Sequence, residues 1–516
     1  MFYFIPSWYP ANRQWYHQTP VWYRFNQEMA FDDTINQVKL FREDMTQVAL
    51  LVLNYQPQLR YFLHQQDLLG LQYWSFFDDI QNSHDRQTKA IDFKKLNWPK
   101  GVRFIYTAFA VVVRKGKIDL ATVHFAHNGN LHSICYKDKG QISKEYVFDD
   151  RGFLSSLLVY KEGQVHHQDY LNPNGVWQVR EYFEKNQRVL EINPQADKVF
   201  GKQFYASWEE LISERLALLK EQQFQAKDKL VIAAHQQHNY LLTSLFSDQK
   251  KIISFFGQRL TFKHIPQMVG ILSEAQLIIV DTQEKENSLK EMMAKQLTQE
   301  CPVLRMTPFD TRLRLGHSQN YRELEVYYFI DTIDEIAYEE SLLILLEQMQ
   351  KHENMTLKIV SFDSRRHQEA MLAHIEELIN THFNQENFYQ EQTIGENQLE
   401  ERLVLDRIQL QWITSERELI VALDKVRLVL DLGDKPDLYT QIASISAGIP
   451  QINRVASEYV SHKKNGWILA SLEELSLALD YYLTGLSNWN KALVHTVQKM
   501  SNYSSGELLE QWKKYL

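Results

Sequence analysis

Residues Arg427 to Leu469 read RLVLDLGDKPDLYTQIASISAGIPQINRVASEYVSHKKNGWIL, and they carry the clearest alternation of strand and helix signals in the chain. The apolar run Leu428 to Leu432 ends at Gly433, which predicts a buried parallel strand. Asp437 is placed to cap a short helix that Gly448 ends, because glycine accepts the left-handed conformation required there. A second strand follows a tight Asn-Gly turn. Strand, helix and strand in this order predict an open parallel sheet.

Composition is that of a globular protein with two or three domains. The chain has 516 residues, of which 44% are hydrophobic and 23% charged, and its formal net charge of −9 does not favour nucleic acid as a partner. Cys135 and Cys301 stand alone, so neither a disulfide framework nor a Cys-x-x-Cys site is expected. No signal peptide and no membrane-spanning run is recognisable. We therefore expect a cytoplasmic protein, with peripheral contact at the inner face of the cell membrane limited to local pairs such as Lys463-Lys464 and Lys513-Lys514.

The hydrophobic pattern changes from helical to alternating between Val102 and Ile192. Glycines punctuate this region at intervals of roughly 11–13 residues, which is the rhythm of consecutive hairpins; they are Gly116, Gly129, Gly140, Gly152, Gly163 and Gly175. The region predicts an antiparallel β-meander inserted into an α/β domain. We expect it to be separable, because its strands can pair among themselves.

The fold class predicted from these patterns is α/β, with two Rossmann-like domains and the inserted antiparallel β-meander. The first Rossmann-like domain is expected at 1–101 and 196–226, with the meander at 102–195 between its two parts. The second Rossmann-like domain is expected at 227–484, starting with the strand signal at Leu230 to Ala234. Residues 485–516 are expected to form a C-terminal helical segment that packs back on the first domain.

Ligands of open parallel sheets bind beyond the carboxyl ends of the strands, close to helix N-termini. The two guanidinium groups of DTRLRLGHSQ, at Arg312 and Arg314, could bind a diphosphate bidentately, although an exposed basic strand edge explains them equally well. No catalytic residue is predicted. The ligand-cleft candidates are Arg312, Arg314, Lys435, Asp437, Tyr439, Ser444, Arg454, Lys463 and Asn465.

Other constellations give weaker signals. His235 and His238 follow a predicted strand, but no third ligand is placed to complete a metal site, so no metal is predicted. No G-x-S-x-G elbow is present. The aromatic N-terminal segment SWYPANRQWYHQTPVWYRF contains no glycine-rich phosphate loop, and it predicts either an aromatic-packed loop or a carbohydrate-stacking surface.

The A-x-G-x-P step that leads to an Asn-Gly turn resembles the nucleotide-sugar half of GT-B glycosyltransferases. In those enzymes two glutamates, eight positions apart, hold the sugar and the ribose of the donor. Alignment on Gly448 and Pro450 places Lys435 and Ala443 at these positions, and no carboxylate occurs between Asp437 and Glu458. The resemblance therefore implies a GT-B-like fold without the chemistry of the donor site, and no cofactor is predicted.

A wider resemblance covers essentially the whole chain. The segments MFYFIPSWY, YQPQLRYFLHQQDL, SFFDDIQ and PDLYTQIASISAGIPQIN, together with the inserted meander, resemble the first accessory secretory protein of the accessory Sec system of streptococci and staphylococci. The resemblance implies a non-catalytic export factor that works with the second and third accessory secretory proteins and the accessory motor ATPase. Its cargo would be a glycosylated serine-rich repeat adhesin. An active glycosyltransferase and a lectin-like carbohydrate-binding module remain the alternatives.

Overall fold

The structure is a computed structural model that describes residues 1–10, 13–17, 20–23, 32–84, 86–183, 189–257, 269–297, 301–311, 314–363, 365–394 and 400–516. Its contacts divide the chain into two units. The first unit holds Asp33–Met306 and the described part of Met1–Phe25, and the second holds Thr307–Lys514. No helix in these described ranges is long and apolar enough to cross a bilayer.

The first unit contains a parallel sheet, an antiparallel sheet and helices. Its strands are β1 (Phe2–Ile5), β2 (Val48–Val52), β3 (Gln72–Ser75), β4 (Arg103–Tyr106), β5 (Val111–Lys115), β6 (Ile118–Phe125), β7 (Leu131–Asp138), β8 (Gln141–Asp149), β9 (Phe153–Lys161), β10 (Gln164–Leu171), β11 (Trp177–Tyr182), β12 (Leu190–Ile192), β13 (Phe204–Tyr205), β14 (Lys229–Ala233), β15 (Lys250–Phe255), β16 (Ala275–Val280) and β17 (Val303–Arg305). Its helices are α1 (Asp33–Glu43), α2 (Leu59–Gln65), α3 (Phe76–Ile80), α4 (Trp208–Gln223), α5 (Asn239–Leu245), α6 (Val269–Ser273) and α7 (Gln283–Gln296).

The parallel sheet of the first unit has the order β17-β16-β15-β14-β1-β2-β3 among the described strands. The strand β14 pairs in parallel with β1, with Phe4 opposite Val231, so both strands belong to one sheet. The prediction that a second domain starts at residue 227 is therefore wrong. The sequence signal itself was correct, because β14 to β17 are parallel strands and β14 to β16 are largely buried. A strand signal does not indicate which other strand will pair with it.

The predicted meander is the antiparallel sheet β4 to β13. Its six predicted turn glycines all adopt positive φ angles. The sheet extends past the predicted limit of 195, because β13 at Phe204–Tyr205 pairs with β12. Its last strands share the core of the parallel sheet, since Tyr170, Val179 and Leu190 pack in one buried cluster with Ile5 and Trp208.

Buried ion pairs also join the meander to the first Rossmann-like sheet. Arg151, at the β8–β9 turn, donates to Asp78 of α3 at 2.7 Å and to Asp149 at 2.7 Å. Arg60 of α2 donates to Asp149 at 2.6 Å and to Asp150 at 2.7 Å. Among the described residues, deletion of the meander would leave Arg60 and Asp78 paired only with each other, at 3.0 Å. These contacts do not favour a separable meander, and its separability stays a prediction.

The second unit is built around another parallel sheet. Its strands are β18 (Leu324–Phe329), β19 (Met355–Ser361), β20 (Tyr389–Ile394), β21 (Glu400–Leu405), β22 (Ile408–Trp412), β23 (Val426–Asp431), β24 (Gln451–Asn453) and β25 (Gly466–Ile468). Its helices are α8 (Glu335–Lys351), α9 (Gln368–His382), α10 (Glu416–Leu423), α11 (Leu438–Ala447), α12 (Leu475–Leu483), α13 (Ser487–Met500) and α14 (Ser505–Lys513). Among the described strands the order is β22-β19-β18-β23-β24-β25, with β20 and β21 as a separate hairpin.

The local predictions for the stretch from Arg427 to Leu469 are confirmed. Asp437 caps α11 by accepting a hydrogen bond from the amide of Thr440 at 2.7 Å. Gly448 ends the same helix with a φ angle of 73°. The predicted packing of 485–516 on the first domain stays a prediction, because it concerns how two separately described units are arranged.

Candidate functional site

The carboxyl edge of the second parallel sheet carries a group of acidic side chains. Asp431 is the last residue of β23, Asp331 follows β18, and Asp363 follows β19. Because parallel strands end at the same edge, these residues are placed where a ligand of an open α/β sheet normally binds. We call this the acidic edge, comprising Asp331, Asp334, Asp363, Asp431, Asp434 and Asp437.

Asp431 lies at the centre of the acidic edge and is only 1% exposed. Its Oδ2 atom accepts a hydrogen bond from the amide of Asp437 at 2.6 Å. Burial, together with the negative charge of Asp437, raises the pKa of Asp431 to about 7. Burial also raises the pKa of Asp437. This pair therefore resists ionisation, and neither carboxyl group offers the positive charge that a diphosphate requires.

Asp331 holds the neighbouring strand end. It accepts hydrogen bonds from the hydroxyl of Ser361 at 2.5 Å and from the amide of Phe362 at 2.7 Å. Burial raises the pKa of this carboxyl group as well. These hydrogen bonds connect the carboxyl ends of β18 and β19.

Arg454 contacts two loops of the acidic edge. Its guanidinium lies 3.5 Å from Asp334 and 3.5 Å from Asp434. Asp334 also caps α8 through the amide of Ala337 at 2.9 Å. Arg454 is thus already engaged by two carboxylates. Arg366 is likewise paired with Asp331 at 3.3 Å, and Arg365 with Asp363 at 2.8 Å. These carboxylates compete with any phosphate.

The structure brings together only some of the predicted cleft residues. Lys435, Asp437, Tyr439 and Arg454 lie at or next to the carboxyl edge. Lys435 is exposed. The ring of Tyr439 packs 4.9 Å from that of Phe309, and burial, with the charge of Glu416 nearby, raises its pKa.

Ser444 is not available to a ligand. It is fully buried in α11, and its hydroxyl donates to the carbonyl oxygen of Thr440 at 2.6 Å. The prediction failed because a serine on the buried face of a helix bonds to the preceding turn.

Three other predicted residues lie away from the carboxyl edge. Arg314 donates its backbone amide to the carbonyl oxygen of Ser446, which lies eight residues after Leu438 and so about 12 Å from the start of α11. Lys463 and Asn465 precede β25 and so lie at the amino edge of the sheet. Asn465 shapes the turn there, because it accepts from Ser461 and donates to Tyr459, both at 2.8 Å. Arg312 lies outside the described residues.

Asp331 and Asp431 were not among the site residues predicted from the sequence. The available signal was a carboxylate at the end of an otherwise apolar strand, in LVLDL and in YYFID. A buried carboxyl group in that position must be hydrogen-bonded or protonated. Such a residue therefore indicates a polar site at the end of the strand.

Two histidines that could suggest a metal site are structural. His238 is buried, with Nδ1 2.9 Å from the hydroxyl of Tyr9 and Nε2 2.9 Å from the carbonyl oxygen of Ala233. Within the described part of the chain, no three His, Cys, Asp or Glu side chains are grouped to hold a metal ion.

Comparison with known proteins identifies the family. The family model described as the accessory Sec system protein, accessory secretory protein 1, matches residues 1–516. The chain belongs to this family. A relative in Streptococcus gordonii is 36% identical, covering 100% of this chain and 99% of the relative. A relative in Staphylococcus aureus is 31% identical, with coverages of 99% and 98%. The resemblance predicted from the sequence is therefore confirmed.

Solved structures agree with this family assignment. The chain is similar to one in the Glycosylation Associate Protein (Gap123) complex of Streptococcus agalactiae, with a TM-score of 0.84, 38% identity and full coverage of both chains. It is equally similar, with a TM-score of 0.84 and 31% identity, to a chain in the crystal structure of accessory secretory protein 1, 2 and 3 of Streptococcus pneumoniae, covering 100% of this chain and 98% of that one.

The same fold occurs in glycosyltransferases. A pneumococcal O-GlcNAc transferase, solved with UDP and GlcNAc, matches with a TM-score of 0.70 at 12% identity, covering 100% of this chain and 98% of that one. This likeness concerns the fold alone. The family member described here has a GT-B fold with an inserted antiparallel sheet, as predicted.

Proposed function

We propose that this chain is a non-catalytic component of the accessory Sec export machinery. In this role it binds the second and third accessory secretory proteins and a glycosylated serine-rich repeat adhesin. The complex delivers the adhesin to the accessory motor ATPase and the translocon.

The partner part of the proposal rests on the relatives. The pneumococcal crystal structure contains accessory secretory proteins 1, 2 and 3, and the Streptococcus agalactiae structure is that of the Gap123 complex. Both contain a chain that this one matches over its full length. Full-length similarity above 30% identity supports the same kind of assembly here.

The non-catalytic part rests on one observation, the acidic edge. A nucleotide-sugar donor brings a diphosphate, but at this edge Asp431 is buried, and Arg365, Arg366 and Arg454 are each already engaged by carboxylates. The positions that resemble the paired glutamates of the enzymes hold Lys435 and Ala443. Two missing charged hydrogen bonds weaken donor binding by on the order of 3–6 kcal/mol, about a hundredfold to several ten-thousandfold.

The alternative, an active glycosyltransferase, would require a site for an anionic donor, which the acidic edge does not favour.

We also propose that the protein acts in the cytoplasm. Membrane contact in this proposal is peripheral and runs through basic pairs such as Lys513-Lys514 to anionic lipid, so it weakens at high salt.

Co-purification tests the proposal. Tagged full-length chain is co-expressed with the two other accessory secretory proteins, each omitted in turn, and with glycosylated adhesin. We expect a stable complex that assembles without added nucleotide sugar. Failure to retain either accessory protein, measured by size-exclusion chromatography with light scattering, would contradict the proposal.

A further inference from the structure

An aromatic patch combines the β4–β5 hairpin of the meander with residues 20–23 of the N-terminal segment. We define it as Trp22, Tyr23, Tyr106 and Phe109. Trp22 is 37% exposed, Tyr106 60% and Phe109 57%, although large aromatic side chains are normally mostly buried. Grouped exposed apolar side chains of this kind mark interaction sites more often than scattered ones do.

Three of these rings form one continuous surface. Tyr23 lies 5.3 Å from Phe109 and 5.9 Å from Trp22, and Trp22 lies 6.4 Å from Phe109, measured between ring centroids. Tyr106 belongs to the same β4–β5 hairpin as Phe109. The rings of Trp22 and Phe109 are inclined by 38° to each other, and those of Trp22 and Tyr23 by 86°.

The patch is held in place by hydrogen bonds. Thr107 closes the hairpin turn that carries Phe109, since its hydroxyl donates to the carbonyl oxygen of Ala110 at 2.7 Å. The amide of Trp22 donates to the carbonyl oxygen of Phe125 at 3.2 Å. The hydroxyl of Tyr23 lies 3.1 Å from Nδ1 of His124. Rings fixed in this way lose little conformational entropy when a ligand binds.

The size of the patch favours a small occupant. A fully exposed aromatic side chain offers about 150–250 Å², so three half-exposed rings present roughly 250–400 Å². A stable protein interface needs about 800 Å² on each partner. One or two sugar rings fit the smaller area, and the aliphatic face of a pyranose packs flat against an aromatic ring.

We propose that the aromatic patch stacks against the sugar residues of the glycosylated adhesin. This inference rests on the proposed function, in which the adhesin is the cargo, and it adds the surface and the chemistry of recognition. The Lys94 ammonium lies 5.3 Å from the ring centroid of Tyr106, whereas Trp22, Tyr23 and Phe109 are uncharged, which suits a neutral sugar such as N-acetylglucosamine. The hydroxyl group of Tyr23 provides a polar atom beside the apolar rings, as amphipathic aromatic residues do at wet interfaces.

Calorimetric titration tests this inference. The full-length chain is titrated with a serine-rich peptide that carries O-linked N-acetylglucosamine and with the same peptide unmodified. We expect binding of the glycopeptide alone, and a loss of roughly tenfold in affinity for Phe109→Leu or Trp22→Leu, because leucine keeps apolar volume but removes the flat ring. Tyr240→Leu is the matched control, since Tyr240 is 79% exposed elsewhere in the first unit.

Two results would overturn the inference. They are equal binding of both peptides, including the case of no binding, and unchanged glycopeptide affinity in Phe109→Leu and Trp22→Leu combined. Each variant is also tested for co-purification with the other accessory secretory proteins. Retained co-purification with lost glycopeptide binding supports the inference, whereas lost co-purification of the unmodified chain counts against the proposed function itself.

Discussion

The amide of Asp437 donates to the carboxyl of Asp431 at 2.6 Å, so the first residue before α11 is tied to the last residue of β23. This contact places two acids side by side at the strand end where an enzyme of this fold would hold an anionic donor.

The first prediction concerns pH. The pKa of Asp431 is raised to about 7, so the folded protein keeps this carboxyl protonated at pH values where the unfolded chain ionises it. Its contribution to stability is therefore largest below pH 4 and is lost as the pH rises to 7. We expect Asp431→Asn to stabilise the protein by about 2–4 kcal/mol at pH 8 and to have little effect at pH 4.

Thermal unfolding followed by circular dichroism at both pH values checks this prediction. Asp434→Asn changes an exposed carboxylate of the same loop and serves as the control, with no pH-dependent gain expected. Equal effects of Asp431→Asn at pH 4 and pH 8 would contradict the assignment of a raised pKa.

The second prediction concerns the buried ion pairs between the meander and the first parallel sheet. Arg151→Met removes the guanidinium shared by Asp78 and Asp149, whose side chains are 6% and 3% exposed. An uncompensated buried charge costs about 3–5 kcal/mol, so we expect a loss of that size in urea unfolding. Arg114→Met breaks the exposed pair with Asp119 in the same sheet and should have little effect. Similar small losses in both variants would show that the buried network does not anchor the meander.

The third prediction concerns Gly433, where the central strand of the second sheet ends. A Cβ atom there would lie 2.7 Å from the backbone carbonyl carbon of Thr332. We expect Gly433→Ala to destabilise the protein by about 1–3 kcal/mol, because backbone atoms must move. Gly270→Ala is the matched control in a helix with no atom within 4 Å, and it should be neutral or stabilising. Unchanged stability of Gly433→Ala in the same unfolding assay would contradict this packing.

Individual strands and helix ends were predicted from the sequence more accurately than the pairing of one strand with another. The strand, cap and C-terminal glycine of the stretch around α11 depend on local periodicity and on single residues such as Asp437 and Gly448, and all three were predicted. The assignment of β14 to a sheet depends on pairing with β1, more than 220 residues earlier, and no local signal records it.

The candidate site was predicted in part for the same reason. Lys435 and Asp437 follow a predicted strand, so their place at the carboxyl edge could be inferred from chain direction. Lys463 and Asn465 come before β25, and a residue that precedes a parallel strand lies at the amino edge of the sheet. The prediction placed them in the cleft because they are close in sequence to the other candidates, and it did not take this chain direction into account.

The most direct test of a non-catalytic role is a transfer assay with labelled UDP-N-acetylglucosamine and the adhesin. The chain is assayed alone and with the other accessory secretory proteins, and a pneumococcal O-GlcNAc transferase serves as the positive control. The account predicts neither transfer nor donor hydrolysis above a blank without protein. Steady turnover by the purified chain would contradict it and would favour the glycosyltransferase alternative.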